Sequence, residues 1–288
     1  MPEPQQPGGR APFGARLAAA VGRLGPLCVG IDPHPALLAS WGLSDDAEGL
    51  RRFSATVLAA VAGVAAALKP QVALYERHGS AGIAALEDLL ADAREAGLLT
   101  IADAKRGDIG STMAAYAQAW LGEGSPLAAD AVTLSPYLGF ESLRPALDVA
   151  AETGRGVFVL ALTSNPEGAS VQHVGGDASV ARRVVEAATA ENRRYSGADR
   201  GEGSVGLVVG ATVGDAIARL GLDLAAMGGP ILAPGLGAQG ATAAAMRETF
   251  AAAYPRVLAT SSRDILRAGP DEREVRASAE RTLEGLRG

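Results

Sequence analysis

The feature that most constrains the fold is an eightfold alternation of short apolar runs with alanine-rich amphipathic stretches. The apolar runs, each predicted to be a β-strand, span residues 27–32, 67–74, 98–103, 131–134, 157–162, 205–209, 231–233 and 256–259. The clearest amphipathic stretches, predicted to be helices, span residues 47–66, 81–96, 111–121, 178–194 and 271–286. Strands that alternate with helices pair in parallel through right-handed crossovers, so the sequence predicts an α/β protein.

Such an alternation can close into an eight-stranded barrel or form an open, doubly wound sheet. A dinucleotide-binding sheet carries Gly-x-Gly-x-x-Gly after its first strand, whereas residues 32–35 read Asp-Pro-His-Pro. Eight units within 288 residues fit a (β/α)8 TIM barrel. We therefore predict a single barrel domain over residues 15–288, with a flexible tail at residues 1–14. An extra helix near residues 11–23 is expected to cover the barrel floor, and the polar segment 191–204 is interpreted as a surface insertion.

Composition narrows the class of function. The formal net charge of −6 argues against nucleic acid or an anionic membrane as a partner, and no apolar run is long enough to span a bilayer. The single cysteine, Cys28, excludes an internal disulfide and lies in an apolar run, which predicts a buried thiol. The three histidines lack metal-ligand spacing, so no metal site is expected. These features favour a cytoplasmic protein.

Lysine is rare in this chain: only Lys69 and Lys105 occur among the 26 lysines and arginines. Arginine is always protonated, whereas the pKa of a lysine shifts with burial and its ammonium can transfer a proton. Both lysines fall on predicted strands or their carboxyl ends, where a barrel places its active site. Asp103 and Lys105 lie two residues apart, so their side chains point the same way in an extended chain. The pair is either a structural ion pair or, with Asp108 nearby, a catalytic charge array.

Two further strand ends carry polar or glycine-rich loops. Residues 233–240 and 260–263, which follow the seventh and eighth strands, combine glycine-rich backbone with Arg263 and predict a phosphate site. Alternatively, they are tight turns beside a surface arginine. Residues 160–168, where the fifth strand ends, contain Thr-Ser-Asn-Pro and either bind a polar ring edge or form a simple turn. The segment 168–176 that follows is loose enough to form a lid.

Taken together, these motifs resemble the orotidine 5′-phosphate decarboxylase family, in particular its longer type 2 branch. The resemblance rests on residues 103–112 (DAKRGDIGST), supported by residues 28–34, 68–71, 162–166, 234–240 and 261–263. It implies cofactor-free conversion of orotidine 5′-phosphate to UMP and CO₂, the final step of de novo pyrimidine synthesis. It also implies a homodimer with active sites shared across the interface.

The resemblance implies roles for the residues of the D-x-K-x-x-D motif. Lys105 would protonate carbon six of the pyrimidine, and Asp103 would face the departing carboxylate. Asp108 would reach into the partner's site, with Ile109 and Thr112 beside it.

Substrate-binding residues are implied in the same way. Lys69 and Asp32 would hold the ribose and complete the charge array. Ser164 would bond the pyrimidine amide, while Gln239 and Arg263 would grip the phosphate.

Two departures from the short branch of the family stand out. Ser262 occupies a position that is often glycine there, which puts its backbone contact to phosphate in doubt. The 191–204 insertion is also absent from the short branch.

Two other functions stay open from the sequence. A sister enzyme of the same barrel superfamily shares a D-x-K-x-x-D-like string and acts on sugar phosphates through a magnesium-stabilised enediolate. The lysine on the second strand and the Ser-Asn-Pro loop at residues 164–166 disfavour it. A non-catalytic barrel that senses a nucleotide would have no need of a proton donor.

Overall fold

The computed structural model describes residues 10–195, 202–238 and 240–287. Eight parallel strands form a closed barrel in sequence order, and the last strand pairs with the first. They are β1 (Leu27–Ile31), β2 (Ala67–Pro70), β3 (Leu99–Arg106), β4 (Ala131–Leu134), β5 (Gly156–Leu162), β6 (Val205–Val209), β7 (Ile231–Pro234) and β8 (Val257–Ser261). The predicted (β/α)8 barrel is therefore confirmed.

Helices connect the strands and surround the barrel. They are α1 (Phe13–Leu24), α2 (Pro35–Ser40), α3 (Ala47–Val61), α4 (Ala73–Glu76), α5 (Gly79–Glu95), α6 (Gly110–Leu121), α7 (Arg144–Thr153), α8 (Ala169–Gln172), α9 (Val180–Tyr195), α10 (Ala216–Arg219), α11 (Ala243–Phe250), α12 (Arg263–Leu266) and α13 (Glu272–Arg287). Short 3₁₀ turns span Phe140–Leu143, Pro166–Gly168, Gly176–Ala178 and Ala251–Arg256. None of the helices in these described ranges is both long and apolar enough to cross a bilayer.

Helix α3 illustrates how local sequence sets these elements. The carboxylate of Asp46 accepts a hydrogen bond from the Gly49 amide at 2.9 Å and caps the first turn. Leu50, Phe53 and Val57 recur at helical spacing and are all fully buried, so this face packs onto the barrel.

The extra N-terminal helix closes the amino end of the barrel, as predicted. Phe13 and Leu17 of α1 are buried against the residues that fill the barrel interior. The Phe13 ring stands edge-on to Phe158 of β5, with ring centroids 5.9 Å apart. The boundary proposed at residue 14 for the flexible tail falls within α1, and residues 1–9 lie outside the described residues.

Several sequence-based boundaries differ from the structure, among them the end of β3 at Arg106 rather than at residue 103 and the end of α3 at Val61 rather than at residue 66. Strand β2 ends at Pro70 rather than at residue 74, because Ala73–Glu76 turns into helix α4. The surface insertion predicted from residue 191 is wrong at its start, since Glu191 and Asn192 belong to α9 and are buried. Glu191 can be buried because the Arg144 guanidinium donates hydrogen bonds to both of its carboxylate oxygens, at 2.6 and 2.9 Å.

Candidate active site

A cavity of about 390 Å³ opens at the carboxyl ends of the strands. This is the face where barrels of this architecture carry their active sites. The residues that line it come from all but one of the strand ends and their loops: Asp32, Lys69, Gln71, Asp103, Lys105, Leu160, Thr163, Ser164, Asn165, Val208, Gly210, Leu232, Pro234, Gly235, Leu236, Ala238, Thr260, Ser262 and Arg263. Seven of the residues predicted from the sequence to form the site are among them.

At the base of this cavity, charges of opposite sign alternate. The Lys69 ammonium donates to Asp103 Oδ2 at 3.1 Å and lies 3.9 Å from Asp32 Oδ1. The Lys105 ammonium donates to Asp103 Oδ1 at 2.6 Å. Lys69 is almost fully buried, whereas 45 % of the Lys105 side chain is exposed toward the opening. The array therefore has a fixed inner cation and an accessible outer one.

The buried members of the array hold one another in their charged forms. Burial opposes the protonated form of Lys69, but the carboxylates of Asp103 and Asp32 outweigh it and raise the pKa of Lys69 above its ordinary value. Burial also favours the neutral form of Asp103, yet the ammoniums of Lys69 and Lys105 hold the pKa of that carboxyl well below its usual range. The site thus keeps the Asp103 carboxylate and the Lys69 ammonium charged in a confined space.

Asp32 is only partly satisfied within this array. Its Oδ1 atom is buried and accepts no hydrogen bond from any of the described residues. A buried carboxylate oxygen without a donor is costly, and it suits a site that receives a hydroxyl-bearing ligand.

Two residues to which the sequence assigned no role complete the surroundings of Asp103. The Gln71 side chain lies against Asp103; assigned with its amide nitrogen toward that residue, the orientation that pairs both groups, it donates to the main-chain oxygen and to Oδ2 of Asp103, both at 3.0 Å. Thr133 donates from its hydroxyl to Asp103 Oδ1 at 2.9 Å. A hydroxyl in the otherwise apolar run Ala-Val-Thr-Leu of β4 was the signal for Thr133, because a buried hydroxyl needs a partner.

Asp108, Ile109 and Thr112, predicted as site residues, do not line the cavity of this chain. They lie at the rim, where β3 leads into α6. The Asp108 carboxylate accepts a hydrogen bond from the Ile109 amide at 2.8 Å, and the Ile109 side chain is 61 % exposed. Glycine at position 107 makes this path possible, because the chain passes so close to Ser135 that a Cβ there would lie 2.3 Å from the Ser135 carbonyl oxygen.

The loop after β5 presents Ser164 to the cavity, as the sequence predicted. It is held by a pair of hydrogen bonds to Gln172 of α8: the Thr163 amide donates to Gln172 Oε1 at 2.8 Å, and Gln172 Nε2 donates to the Thr163 hydroxyl at 2.7 Å. The Thr163 hydroxyl donates onward to Asn165 Oδ1 at 2.7 Å. The segment 168–176, interpreted from the sequence as a loose lid, therefore begins with short helical turns that hydrogen bonds join to the end of β5.

Farther along the barrel, β7 and β8 bring the predicted phosphate-binding residues to the same cavity. Ser262 and Arg263 line it together with Gly235. The Ser262 hydroxyl is buried and has no hydrogen-bond partner in the described chain. Gly235 has a φ of 126°, a conformation that side chains rarely adopt. Gln239, predicted as a phosphate ligand, lies outside the described residues.

Cys28 behaves as predicted. It is fully buried in β1, and burial raises the pKa of its thiol to about 12. A thiol in this state is a poor nucleophile.

Comparison with known proteins places these features in context. Residues 25–278 match the model of the orotidine 5′-phosphate decarboxylase / HUMPS family. Proteins named orotidine 5′-phosphate decarboxylase from Salinispora arenicola and Streptomyces coelicolor are 56 % and 55 % identical over 277 and 273 residues, which cover 96 % and 94 % of this chain and 97 % and 95 % of theirs. The crystal structure of a chain from Streptomyces avermitilis assigned to the same enzyme superimposes with a TM-score of 0.91 at 53 % identity, and the match covers 99 % of this chain and 98 % of that one.

Proposed function

The chain belongs to the orotidine 5′-phosphate decarboxylase / HUMPS family, and from this premise we propose how it works as a carboxy-lyase that converts orotidine 5′-phosphate to UMP. Lys105 protonates carbon six of the pyrimidine after CO₂ departs, without a cofactor. The observation that carries this mechanism is the contact of 2.6 Å between the exposed Lys105 ammonium and the buried Asp103 carboxylate at the base of the cavity.

The reaction explains why a cation must stand at this point. Loss of CO₂ breaks the carbon–carbon bond and leaves its electron pair on a ring carbon that has no conventional electron sink. A fixed ammonium stabilises that charge as it develops and then donates a proton to it, which gives UMP and a neutral lysine that regains its proton from solvent. The Lys105 side chain lines the cavity and is partly exposed, so its ammonium can reach the substrate and can regain a proton from solvent.

Asp103 and its neighbours keep this ammonium in position. The two ammoniums keep Asp103 charged, and its carboxylate orients the Lys105 ammonium. We also assign Asp103 to the position that faces the substrate carboxylate. Asp32 and Lys69 would bind the ribose hydroxyls, because the unpaired Asp32 Oδ1 can accept a hydrogen bond there. We assign Ser164, on the loop after β5, to the pyrimidine amide.

The phosphate of the substrate is assigned to the opposite side of the cavity. Arg263 supplies a cation, and Ser262 supplies a hydroxyl that has no partner in the described chain. The glycine-rich turn that follows β7 supplies backbone amides. Gln239 is retained as a phosphate ligand on the family resemblance. Binding energy from this remote group can be used to organise the reacting end.

We propose a homodimer in which the rim of one protomer completes the site of its partner. Tyr137 and Leu138, on the loop after β4, are 80 % and 53 % exposed, close in sequence to the Ser135 carbonyl that packs on Gly107. With the exposed Ile109 they give the rim around Asp108 an apolar character that suits association. Asp108 and Thr112 would then act in the partner's site. We also propose the type 2 branch and a cytoplasmic location.

The magnesium-dependent reaction of the sister enzymes is the alternative that the sequence left open. The names of the similar chains favour the decarboxylase. The deciding experiment is absorbance-monitored conversion of orotidine 5′-phosphate by the purified chain in excess EDTA. Turnover without added metal is expected, and a strict magnesium requirement would contradict the proposal.

A variant tests the role of Lys105. Lys105→Ala should lose most of the turnover while UMP binding stays measurable by calorimetry, because the phosphate and pyrimidine contacts are intact. Near-normal turnover by this variant would refute the assignment of the proton donor.

A further inference from the structure

Thr133 occupies the one place where the ladder between β3 and β4 breaks. Pairing runs in register from Ile101 to Ala102, then resumes only at Arg106, which lies opposite Leu134. Residues 103–105 therefore stand opposite the single residue Thr133. Since the ladder is interrupted, backbone pairing with β4 does not fix residues 103–105, while Asp103 keeps a backbone bridge to Gln71 on the β2 side.

The Thr133 side chain takes over that task. Its hydroxyl oxygen accepts a hydrogen bond from the Lys105 amide at 2.9 Å, and its single proton is donated to Asp103 Oδ1, also at 2.9 Å. Thr133 is fully buried, so solvent does not compete for either bond. One hydroxyl thus joins the main chain of the outer lysine to the carboxylate of the array.

The backbone that Thr133 holds is itself unusual. Lys105 has a φ of 49°, in the left-handed region that non-glycine residues seldom occupy. Such a conformation persists only where the surroundings fix it, and it is common at functional sites. Here the left-handed turn lets the Lys105 ammonium fold back onto Asp103 Oδ1, the same atom that accepts the Thr133 hydroxyl.

We propose that Thr133 is a positioning residue for the decarboxylation: its hydroxyl fixes the left-handed backbone of Lys105 and the carboxylate of Asp103 together, and so directs the ammonium to the ring carbon. The inference rests on the proposed role of Lys105 as proton donor. Thr133 does not line the cavity and needs no contact with substrate.

Two pairs of side chains isolate the hydroxyl. Thr133→Val keeps the branched shape and removes the hydroxyl, while Thr133→Ser and Thr133→Ala differ from each other mainly by the hydroxyl. Hydrogen bonds to charged groups are worth enough that their loss corresponds to about a ten- to hundredfold change in rate. We expect kcat to fall by that factor in Thr133→Val and Thr133→Ala, with KM changed by less than about threefold. Thr133→Ser should stay within about threefold of the wild type.

A second measurement reports directly on the orientation of the Lys105 ammonium toward the ring carbon. In heavy water, the reverse of the protonation step exchanges the carbon-six hydrogen of UMP for deuterium, which NMR follows without any loss of CO₂. We expect this exchange to slow in parallel with kcat in the variants that lack the hydroxyl. A purely structural role for Thr133 would alter the unfolding midpoint but not this rate.

The outcomes separate the possible failures. If Thr133→Val does not fold, as judged by circular dichroism, the Ser and Ala pair decides. Unchanged kcat and exchange without the hydroxyl, an equal loss in Thr133→Ser, or a loss confined to KM would each overturn the role of Thr133. A wild-type enzyme that leaves orotidine 5′-phosphate unchanged would instead refute the proposed function.

Discussion

Replacing Lys69 with methionine should destabilise the folded chain by about 3–5 kcal/mol, because it leaves buried carboxylates without their inner cation. The Lys69 ammonium lies 3.1 Å from Asp103 Oδ2 and 3.9 Å from Asp32 Oδ1. At an effective dielectric constant of about 20, these separations correspond to gross attractions of about 5 and about 4 kcal/mol. The cost of burying the ions offsets much of this attraction, while methionine fills a similar volume, so the electrostatic loss dominates.

The assay is the free energy of unfolding from urea denaturation at neutral pH. Arg51→Met is a matched control, because Arg51 pairs with Asp88 at 2.9 Å but both side chains are exposed, at 39 % and 58 %. An exposed pair contributes about 0.2–1 kcal/mol, so this control should change stability little. Adding Asp103→Asn to Lys69→Met should recover part of the loss. A Lys69→Met variant no less stable than Arg51→Met would refute the reasoning.

Three further predictions follow from particular contacts. Burial raises the pKa of Asp103 but two ammoniums depress it further, so its contribution to stability is complete above its unfolded pKa of about 3.9 and is lost as pH falls through the lower folded value. Replacing the inner lysine raises the folded pKa, so acid titration of unfolding should show a smaller loss that ends at higher pH, and identical profiles would contradict this. Asn192→Ala should lower the free energy of unfolding by about 2–4 kcal/mol, since the buried amide forms hydrogen bonds with the backbone of β6 and of the loop before β7. Asn165 is exposed, so Asn165→Ala should lower it by less than about 1 kcal/mol, and equal losses in urea denaturation would contradict the prediction. Mixing inactive Asp108→Ala and Lys105→Ala protomers should restore some turnover of orotidine 5′-phosphate if sites are shared, and no recovery after demonstrated subunit exchange would exclude sharing.

Local patterns in the chain were sufficient for the barrel and for much of the site. The strand–helix alternation predicted every strand, because apolar runs and helical periodicity are properties of neighbouring residues. The rule that sites lie at the carboxyl ends of barrel strands then brought Asp32, Lys69 and the Asp103–Lys105 pair to one rim. The cavity contains all four.

Boundaries failed where a distant contact outweighed local pattern. Residues 191 and 192 are polar and read as surface, yet Arg144 and the backbone of β6 hold them inside. The apolar run after Pro70 read as strand, but in the barrel it turns into the short helix α4. Such outcomes depend on partners far away in sequence, and neither periodicity nor propensity records them.

The sequence alone determined the order of the elements and the chemical groups at the strand ends, because both follow from residues close together in the chain. Only the tertiary structure decided how those groups meet: the register shift opposite Thr133, the left-handed backbone of Lys105 and the contact of both ammoniums with Asp103. The reason is that side-chain contact between strands depends on how the closed barrel staggers its neighbours, and a shift of a single residue turns each side chain to the opposite face.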